Sequence, residues 1–353
     1  MKQSIEVIRQ AFVSDGKEQT SSIPRSRIYL RGEQSDEDFW LNVKAGAISN
    51  TGYSAIRVDG GLTKSLQGDR VDVSRKSGLV FLYSLRTGEL LAIFHNDYLQ
   101  KLRVGATTAV ATDALANPEV KNMAILGSGR QARSNLDAVC SVRRPTNEIR
   151  AYSPNRDHLA RFCLEMSAQL GQKVTPCNSS SEAVKDADIV TVATNSKTPT
   201  CKGADLSPNA HVNSILSSDR LIQGKDVDDA TYERADIIVV NSRNQIYLDD
   251  QHPLRELSDS PRNGKRIVEL GDLLVSKNEG RLSWDDFTLY DNNVGMGIQF
   301  TAVCGYVFNR AIEMNLGKEW PNDLFDLNVY RSGQADIGNS YNAFGKDTYK
   351  SSI

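Results

Sequence analysis

The feature that most constrains this chain is a glycine-rich turn within residues 121–136, KNMAILGSGRQARSNL. The apolar run MAIL is typical of a buried strand, and a helical pattern begins at Gln131. Gly127, Gly129 and Ala132 form a GxGxxA pattern between and after them. The first glycine permits a tight turn, the second lets backbone approach a pyrophosphate, and the small third residue lets helix and strand pack closely. The segment therefore predicts a dinucleotide site at the amino end of a helix.

Beyond this turn, apolar runs alternate with helical patterns. Strands are predicted at 148–152, 188–194, 211–216 and 236–240. The alternation predicts a doubly wound parallel sheet with helices on both faces. Ligands of such sheets bind beyond the carboxyl ends of the strands, so polar residues there are candidates for a site. They are Ser153, Thr194, Asn195, Ser217 and Asp219. Residues 242–285 are polar and are predicted to be rich in loops.

The region before the turn predicts a separate α/β unit. A helix over residues 1–20 precedes a strand in IPRSRIYLRG, a turn or loop in SDEDFW, and a strand in GYSAIRVDGG that its paired glycines end. The runs GLVFLYS and ELLAIF predict a hairpin, and Asn96 is predicted to cap a long helix that stops at Asn117-Pro118. Small residues between Gly105 and Ala111 let either a neighbouring element or a ligand approach that helix closely.

The composition excludes several classes of protein. The 353 residues suffice for two domains, and a net charge of −2 indicates neither a nucleic-acid nor a membrane-surface partner. No apolar run is long enough for a membrane span, and the amino terminus has the pattern of a charged amphipathic helix rather than a signal peptide. Five scattered cysteines and four separated histidines show no metal-ligand spacing, so no metal site is predicted. Reduced cysteines are typical of a cytoplasmic protein.

Several segments together resemble the ornithine cyclodeaminase/μ-crystallin family. They are LRVGATTAVATDALA, AILGSGRQA, DIVTVATNSKTP, NSILSSD, the D-V-D…A-D-IIVV run and NNVGMG, in the order of the family. The resemblance implies a Rossmann-type doubly wound sheet inserted in an N-terminal α/β substrate-binding and dimerisation domain. The implied domains are residues 1–117 for substrate binding and dimerisation, 118–305 for dinucleotide binding, and 306–353 for the return to the first domain. It also implies a homodimer, NAD(H) or NADP(H), and chemistry at the Cα–N bond of amino or imino acids.

The resemblance also assigns roles to individual residues. The acid/base aspartate of the family matches Asp219, although SSD replaces the GGD of cyclodeaminases. Its substrate-side arginines match Arg103 and either Arg25 or Arg27, with Arg27 preferred because apolar residues follow it. Val294 of NNVGMG falls on the substrate side. The implied cofactor contacts are Gly127, Ser128, Gly129, Arg130, Gln131, Thr194, Asn195, Ser214, Lys225 and Asn293.

The residue types suit amine–imine interconversion. This chemistry requires a cation that holds the α-carboxylate, a group that exchanges a proton, and a site dry enough for hydride transfer. Arg27, Arg57 and Arg103 suit the first need because arginine pairs with carboxylates in a bidentate manner, and Asp219 suits the second.

Arg57 stands where the family has a lysine. Arginine does not lose its proton and clamps a carboxylate well, which favours an imine or ketimine reductase, or an amino-acid dehydrogenase, over a cyclodeaminase. The same arginine suggests a substrate with a second acidic group. The alternatives are an ornithine cyclodeaminase-type ammonia lyase with catalytic NAD+ and a non-catalytic NADPH-binding protein of the μ-crystallin type. Retention of Asp219 together with the arginines argues against the non-catalytic reading.

The end of the second strand after the turn bears on cofactor choice. NAD-specific sites place a carboxylate there to hold the ribose 2′-OH. This chain has Ser153, Asn155 and Arg156 instead, and Arg130 adds positive charge nearby. Small polar groups with a cation suit a 2′-phosphate, so the sequence favours NADP(H) over NAD(H).

Overall fold

The computed structural model describes residues 1–31, 37–66, 69–72, 77–215, 224–259, 266–276 and 280–320. Residues Met1–Arg310 form one compact unit. Residues Ala311–Ile353 form a second, of which 311–320 are described. The domain boundaries at 117/118 and 305/306 stay a prediction.

The amino-terminal part of the chain forms an antiparallel sheet. Its strands are β1 (Thr20–Ser22), β2 (Ser26–Arg31), β3 (Glu37–Ile48), β4 (Tyr53–Leu66), β5 (Asp69–Asp72), β6 (Ser77–Ser84) and β7 (Leu90–His95). The order across the sheet is β1-β3-β4-β6-β7, with β2 also on β3 and β5 also on β4. The strand predicted in IPRSRIYLRG and the hairpin of β6 and β7 are confirmed.

Two predictions in this sheet are wrong. The loop predicted in SDEDFW includes Glu37, which opens the twelve-residue strand β3. The paired glycines Gly60 and Gly61 do not end β4, because they lie in register with Leu41 and Trp40 of β3. The ladder of hydrogen bonds between the two strands continues across these glycines, and the long partner strand outweighs their low strand propensity.

The second sheet is parallel throughout. Its strands are β8 (Asn122–Leu126), β9 (Glu148–Tyr152), β10 (Val174–Pro176), β11 (Ile189–Val192), β12 (His211–Ser214), β13 (Ile237–Val240), β14 (Arg266–Glu269) and β15 (Thr288–Asp291). Their order is β10-β9-β8-β11-β12-β15-β13-β14. The first five positions follow the 3-2-1-4-5 part of the order of a dinucleotide-binding sheet, in which β8 and β11 flank the switch point, and β15 takes the sixth position.

The helices complete both parts. They are α1 (Lys2–Gly16), α2 (Asn96–Leu115), α3 (Arg130–Val142), α4 (Arg156–Leu170), α5 (Ser180–Val184), α6 (Asp229–Arg234), α7 (Asn244–Leu248), α8 (Leu254–Asp259), α9 (Leu270–Val275) and α10 (Gly297–Glu313). None of the helices in the described ranges is both long and apolar enough to cross a membrane. The loop-rich region predicted over 242–285 contains α7, α8, β14 and α9, which are too short to give a clear period in the sequence.

The parallel sheet buries both of its faces. Along β8, Met123 and Ile125 lie in one hydrophobic core, whereas Ala124 and Leu126 lie in another on the opposite face. This arrangement confirms the Rossmann-type doubly wound sheet that the sequence predicts. The antiparallel sheet packs one face, including Tyr53, into a core shared with α1, α2 and α10.

The start of α2 differs from the prediction. His95, not Asn96, is the N-cap, and its Nδ1 accepts a hydrogen bond from the backbone N–H of Asp97 at 3.3 Å. The Asn96 side chain instead accepts a hydrogen bond from Arg57 Nε at 3.0 Å. Asn96, which the local pattern predicts to cap the helix, therefore serves as the acceptor that the buried Arg57 needs.

Candidate active site

The predicted dinucleotide turn joins β8 to α3. Gly127 has φ of 110°, which side-chain-bearing residues rarely adopt, and a Cβ there would lie 2.3 Å from the carbonyl oxygen of Ala193. At Gly129 no atom lies within 4 Å of the position that a Cβ would take. The backbone is therefore open at the amino end of α3, where unpaired N–H groups attract phosphate. The turn fits a dinucleotide pyrophosphate, which these backbone groups would hold.

Two other residues of the turn lie at its rim. The exposed Arg130 forms an ion pair with Asp97 in the first turn of α2. Gln131 has a buried Oε1 without a hydrogen-bond partner in the described part of the chain. Because Asp97 directly follows Asn96, which accepts from Arg57, the ion pair joins the dinucleotide turn to the region of the substrate-side arginines.

Small polar groups and a cation follow β9, as predicted. The hydroxyl of the buried Ser153 accepts a hydrogen bond from Ser128 Oγ at 3.0 Å, and Asn155 caps α4 through its Oδ1. The Arg156 guanidinium donates to the carbonyl oxygens of Cys177 and Asn178 at 3.0 and 3.2 Å. Arg156 is exposed, and these two bonds hold its guanidinium beside the end of β10.

The remaining residues predicted to contact a cofactor have varied surroundings. Thr194 Oγ1 donates to a carboxylate oxygen of Asp226 at 2.9 Å, and Lys225 pairs with Asp229 at 3.0 Å. Asn293 is buried, and its amide bonds to Ser242 and Gln251 as well as to the backbone of Asn241. Asn195 is exposed, and Ser214 is buried at the end of β12. The roles of all five in binding a cofactor stay predictions.

Asp219 and Ser217 lie outside the described residues. The assignment of Asp219 as the proton-exchanging group therefore rests on the sequence.

Two predicted substrate-side arginines lie over one aromatic ring. Arg57 of β4 and Arg103 of α2 are each 4% exposed. Each guanidinium carbon lies 5.3 Å from the centre of the Phe300 ring. Arg57 donates to Asn96 and pairs with Asp59 at 2.6 Å. Phe300 brings two cations together in a place with little water, where cation–π contact and a bound carboxylate both gain strength.

Arg103 is fixed by neutral groups. Its Nη1 donates to Gln299 Oε1 at 3.1 Å and its Nε to Gln100 Oε1 at 3.3 Å. Gln299 in turn donates to Thr107 Oγ1 at 2.7 Å. A Cβ at Gly295 would lie 2.5 Å from Arg103 Nη1, so a side chain there would displace the guanidinium from this position. Burial, and to a smaller extent the charge of Arg57, lower the pKa of Arg103 to about 9, and the guanidinium stays charged at neutral pH.

Arg25 and Arg27 both lie on the side of the antiparallel sheet that carries Arg57 and Asp59, which is called the inner face here. Arg27 lies in register with Asn42, which lies in register with Asp59 of β4. Arg25 directly precedes β2, is 8% exposed and forms an ion pair with Asp249. Arg27 is half-buried and donates to Tyr29. Burial favours Arg25 as the more enclosed cation, and the choice of Arg27 for substrate binding stays a prediction.

The sequence analysis missed Lys44 and Phe300. Lys44 lies on β3 directly opposite Arg57 and is 5% exposed. Burial lowers the pKa of Lys44 well below its ordinary value, and the charges of Arg103, Arg57 and Arg25 lower it further. The available signal was the alternation of Leu41, Val43, Ala45 and Ala47 with Asn42, Lys44 and Gly46, which is typical of a strand.

The position of Val294 and the small residues of α2 both have structural explanations. Val294 is buried, and its carbonyl oxygen accepts from the Asn241 amide at 2.7 Å. A Cβ at Gly105 would lie 2.6 Å from the carbonyl oxygen of Ser134, so the close approach there is that of α3. Of the two readings for this helix, a neighbouring element explains Gly105. Substrate contact by Val294 stays a prediction.

His211 is a buried histidine with a structural environment. Its ring nitrogens lie 2.8 Å from Thr288 Oγ1 and 3.1 Å from Asn213 Oδ1. Burial lowers the pKa of His211 to about 3, so the ring is neutral. Among the described residues no group of three or more His, Cys, Asp and Glu side chains could hold a metal ion.

A doubly wound parallel sheet with an open glycine turn, joined to a buried group of cations, defines a Rossmann-type protein with a second site suited to a small anion. The sequence profile of the ornithine cyclodeaminase/mu-crystallin family matches residues 65–315, and the chain belongs to this family.

Three named proteins are similar to this chain. The Delta(1)-pyrroline-2-carboxylate reductase of Bacillus cereus is 27% identical over 255 residues, which cover 72% of this chain and 77% of the relative. The structure of Thermococcus litoralis Delta(1)-pyrroline-2-carboxylate reductase in complex with NADH and L-proline superposes with a TM-score of 0.77 at 24% identity, over 91% of this chain and 96% of that one. The iminosuccinate reductase of Paracoccus denitrificans in complex with NAD+ gives a TM-score of 0.76 at 21% identity, over 90% and 94% of the two chains.

Proposed function

We propose that this protein is an NAD(P)H-dependent oxidoreductase that reduces the C=N bond of an α-imino acid, or runs the reverse reaction on an α-amino acid. The observation that carries the proposal is the pair of buried guanidiniums of Arg57 and Arg103 on the Phe300 ring. The Arg130–Asp97 ion pair links this pair to the dinucleotide turn. The names of the Bacillus and Thermococcus relatives, both reductases of a cyclic imino acid, support the same reaction.

Each residue of the site has its own role in the proposed reaction. Arg103 binds the α-carboxylate, because its guanidinium has no acidic partner in the described part of the chain and is held rigidly by Gln299. Arg57, anchored by Asn96, orients the substrate from the neighbouring strand. Asp219 exchanges the proton of the imine nitrogen. A bound nicotinamide would supply or accept the hydride.

The arginine at position 57 favours reduction over deamination with cyclisation. Its guanidinium pairs with Asp59 and stays protonated, although burial lowers the pKa of Arg57 below the ordinary value. A group that keeps its proton binds an anion well and is a poor base for an attacking amine or water. The runner-up is an ornithine cyclodeaminase-type reaction that uses NAD+ catalytically.

A substrate panel tests the proposal. Cyclic imino acids, and 2-oxo acids mixed with ammonia or methylamine, are assayed for consumption of NADPH and NADH in parallel. We expect cofactor oxidation with at least one imino acid. Release of ammonia from ornithine without a net change in cofactor absorbance would instead identify a cyclodeaminase. Tight binding of cofactor with no turnover of any compound would identify a binding protein of the μ-crystallin type.

We propose NADP(H) as the preferred cofactor. Residues 153–156, SPNR, contain no carboxylate that would repel a 2′-phosphate. Arg156 supplies a cation, and Ser153 and the side-chain amide of Asn155 supply donors. Parallel fluorescence titrations with NADPH and NADH measure the preference, and tighter binding of NADH would contradict it.

We also propose a homodimer formed through the outer face of the antiparallel sheet. That face exposes large apolar side chains that nothing in the described residues of the chain covers: Ile28, Leu30, Phe39, Leu79 and Ile93 are between 38% and 66% exposed. Neighbours in register, such as Leu30 and Phe39, make the face continuous, and a second copy would bury it.

The five buried free cysteines favour a reducing compartment, and we propose the cytoplasm.

Light scattering at micromolar concentration tests the dimer. Leu30→Glu combined with Ile93→Glu should give a folded monomer, because two charges cannot be buried against their copies. Leu164→Glu is the matched control, since Leu164 is 74% exposed on α4 of the parallel-sheet part. A monomeric wild-type protein, or a double variant that stays dimeric, would refute the proposal.

A further inference from the structure

Lys44 is a buried lysine whose ammonium has no partner among the described residues. It is 5% exposed, and the described part of the chain gives its Nζ neither a hydrogen bond nor an ion pair. Because Lys44 lies in register with Arg57, the two side chains share the inner face of the sheet. In the next register pair on the same face, Asn42 Oδ1 and Asp59 Oδ1 are buried without hydrogen-bond partners among the described residues. Unpaired polar atoms this close together are unusual in a folded interior and indicate a place for a ligand.

The charges of this cluster do not balance. Arg57 is paired with Asp59, and Arg25 is paired with Asp249. Arg103 bonds to the neutral amides of Gln100 and Gln299, and Lys44 has no hydrogen bond or ion pair among the described residues. Two buried cations are therefore left without anions inside the described part of the protein. Burying an uncompensated charge costs several kcal/mol, so such a pair is expected to take up negative charge from a ligand.

Two cations without anions can bind two carboxylates. In the proposed reaction the α-carboxylate lies on Arg103, which is on α2, whereas Lys44 comes from β3. Lysine is a point charge with three donors, which suits a terminal carboxylate. We propose that Lys44 binds a second carboxylate of the substrate, so that the preferred substrate is an α-imino dicarboxylic acid. This inference rests on the proposed function and narrows its substrate class.

Binding of unreactive acids tests the inference without turnover. Succinate and butyrate have the same number of carbon atoms and differ in one carboxylate, as do glutarate and valerate. Isothermal titration of the full-length protein should give tighter binding of the diacid in at least one pair, by roughly 10- to 100-fold, the effect of one charge-assisted contact. Lys44→Met should remove this preference and leave the affinity for the monoacid nearly unchanged, because Arg103 is intact.

Two controls keep the experiment interpretable. Lys173→Met removes an exposed lysine between α4 and β10 and should keep the diacid preference. Lys44→Met removes a buried charge that has no partner in the described part of the chain, so it should unfold at the same temperature as the wild type or a higher one. Equal binding of diacid and monoacid by the wild type in both pairs, or a preference that survives in folded Lys44→Met, would overturn the inference.

Proton uptake gives an independent readout. The charged groups around Lys44 are Arg103 of α2, Arg57 and Asp59 of β4, and Arg25; together with burial, the three arginines lower the pKa of Lys44. A bound carboxylate raises that pKa again, so diacid binding should take up no proton at a pH where Lys44 is already charged, and should take up protons and weaken as pH rises through the pKa of Lys44. Titration in buffers of different ionisation enthalpy should detect this uptake in the wild type and not in Lys44→Met.

The two proposals fail separately. Reduction of imino monocarboxylates with no preference for diacids in binding or in kcat/KM would leave the proposed function intact and refute the role of Lys44. A diacid preference that depends on Lys44, without turnover of any imino acid, would support the second carboxylate site and refute the reductase.

Discussion

The two sheets carry function in different ways. The parallel sheet packs a hydrophobic core on each face, and its predicted dinucleotide site is backbone at the carboxyl ends of strands, as at Gly127 and Gly129. The antiparallel sheet instead places charged side chains on a buried face, where Lys44, Arg57 and Asp59 lie together. We expect backbone recognition to serve any dinucleotide and the buried side chains to select one kind of substrate. We therefore expect substitutions in the two regions to separate cofactor binding from substrate recognition.

Asp219→Asn should produce the largest effect and the cleanest separation. Loss of a general acid/base should reduce turnover by about 10²-fold or more, while cofactor affinity stays nearly unchanged. Single-turnover kinetics and fluorescence titration measure the two quantities. Asp285→Asn, at an exposed aspartate, is the matched control and should keep full activity. Near-normal turnover in a folded Asp219→Asn protein would remove Asp219 from the mechanism.

Ser153→Asp combined with Arg156→Ala should shift cofactor selectivity and leave substrate recognition alone. The aspartate accepts from a ribose 2′-OH and repels a 2′-phosphate, and the lost cation no longer neutralises that phosphate. Affinity for NADPH should fall by roughly one to two decades relative to NADH. Because Arg156 also donates to the carbonyl oxygens of Cys177 and Asn178, the melting temperature of Arg156→Ala alone is the control for stability. Unchanged selectivity in the double variant would contradict the assignment.

Variants of Gln299 should weaken substrate binding and leave cofactor binding unchanged. Gln299→Leu removes the acceptor that fixes Arg103 Nη1, so KM should rise roughly tenfold with a smaller change in kcat. Gln299→Glu should raise KM further, because its carboxylate pairs with Arg103 in competition with the substrate. Cofactor affinity should be unchanged in both. Unaltered KM in both folded variants would exclude Arg103 as the carboxylate-binding group.

The same contrast explains what could be predicted from sequence. The parallel sheet was predicted well because each strand is a continuous apolar run followed by a helical period, and the GxGxxA spacing is local. In the antiparallel sheet, β3 was missed because its inner positions are Asn42, Lys44 and Gly46. A lysine is almost never fully buried without a partner, so the pattern predicts a solvated strand or a loop there.

The parts of the site that bring Arg103 and Arg57 together have no local signal at all. Gln299 bonds to Arg103 across 196 positions of the sequence. Phe300 lies under both arginines, although it belongs to a helix that the sequence presents as ordinary apolar core. Asn96 was assigned to a cap because that is its common local role, and only the fold brings Arg57 beside it. Contacts of this kind depend on the tertiary structure.

The smallest expected effect concerns an exception within the parallel sheet, where Asp291 is buried at the end of β15. Burial, and to a smaller extent the charge of Asp226, raise the pKa of Asp291 to about 7, although the Tyr232 hydroxyl donates to its carboxylate at 2.6 Å and lowers it. The folded state then holds a proton that the unfolded chain, in which the pKa has its ordinary value of 3.8, has lost.

The stabilisation of the folded state by this proton is complete below the unfolded pKa and is lost as pH rises through the folded pKa. Unfolding by urea should therefore become easier between about pH 4 and about pH 7 in the wild type. Asp291→Asn, which still accepts from Tyr232, should flatten this slope, and Tyr232→Phe should move it to higher pH. Identical slopes in the wild type and Asp291→Asn would mean that Asp291 is ionised throughout, and that the parallel sheet, like the antiparallel one, tolerates a buried charge.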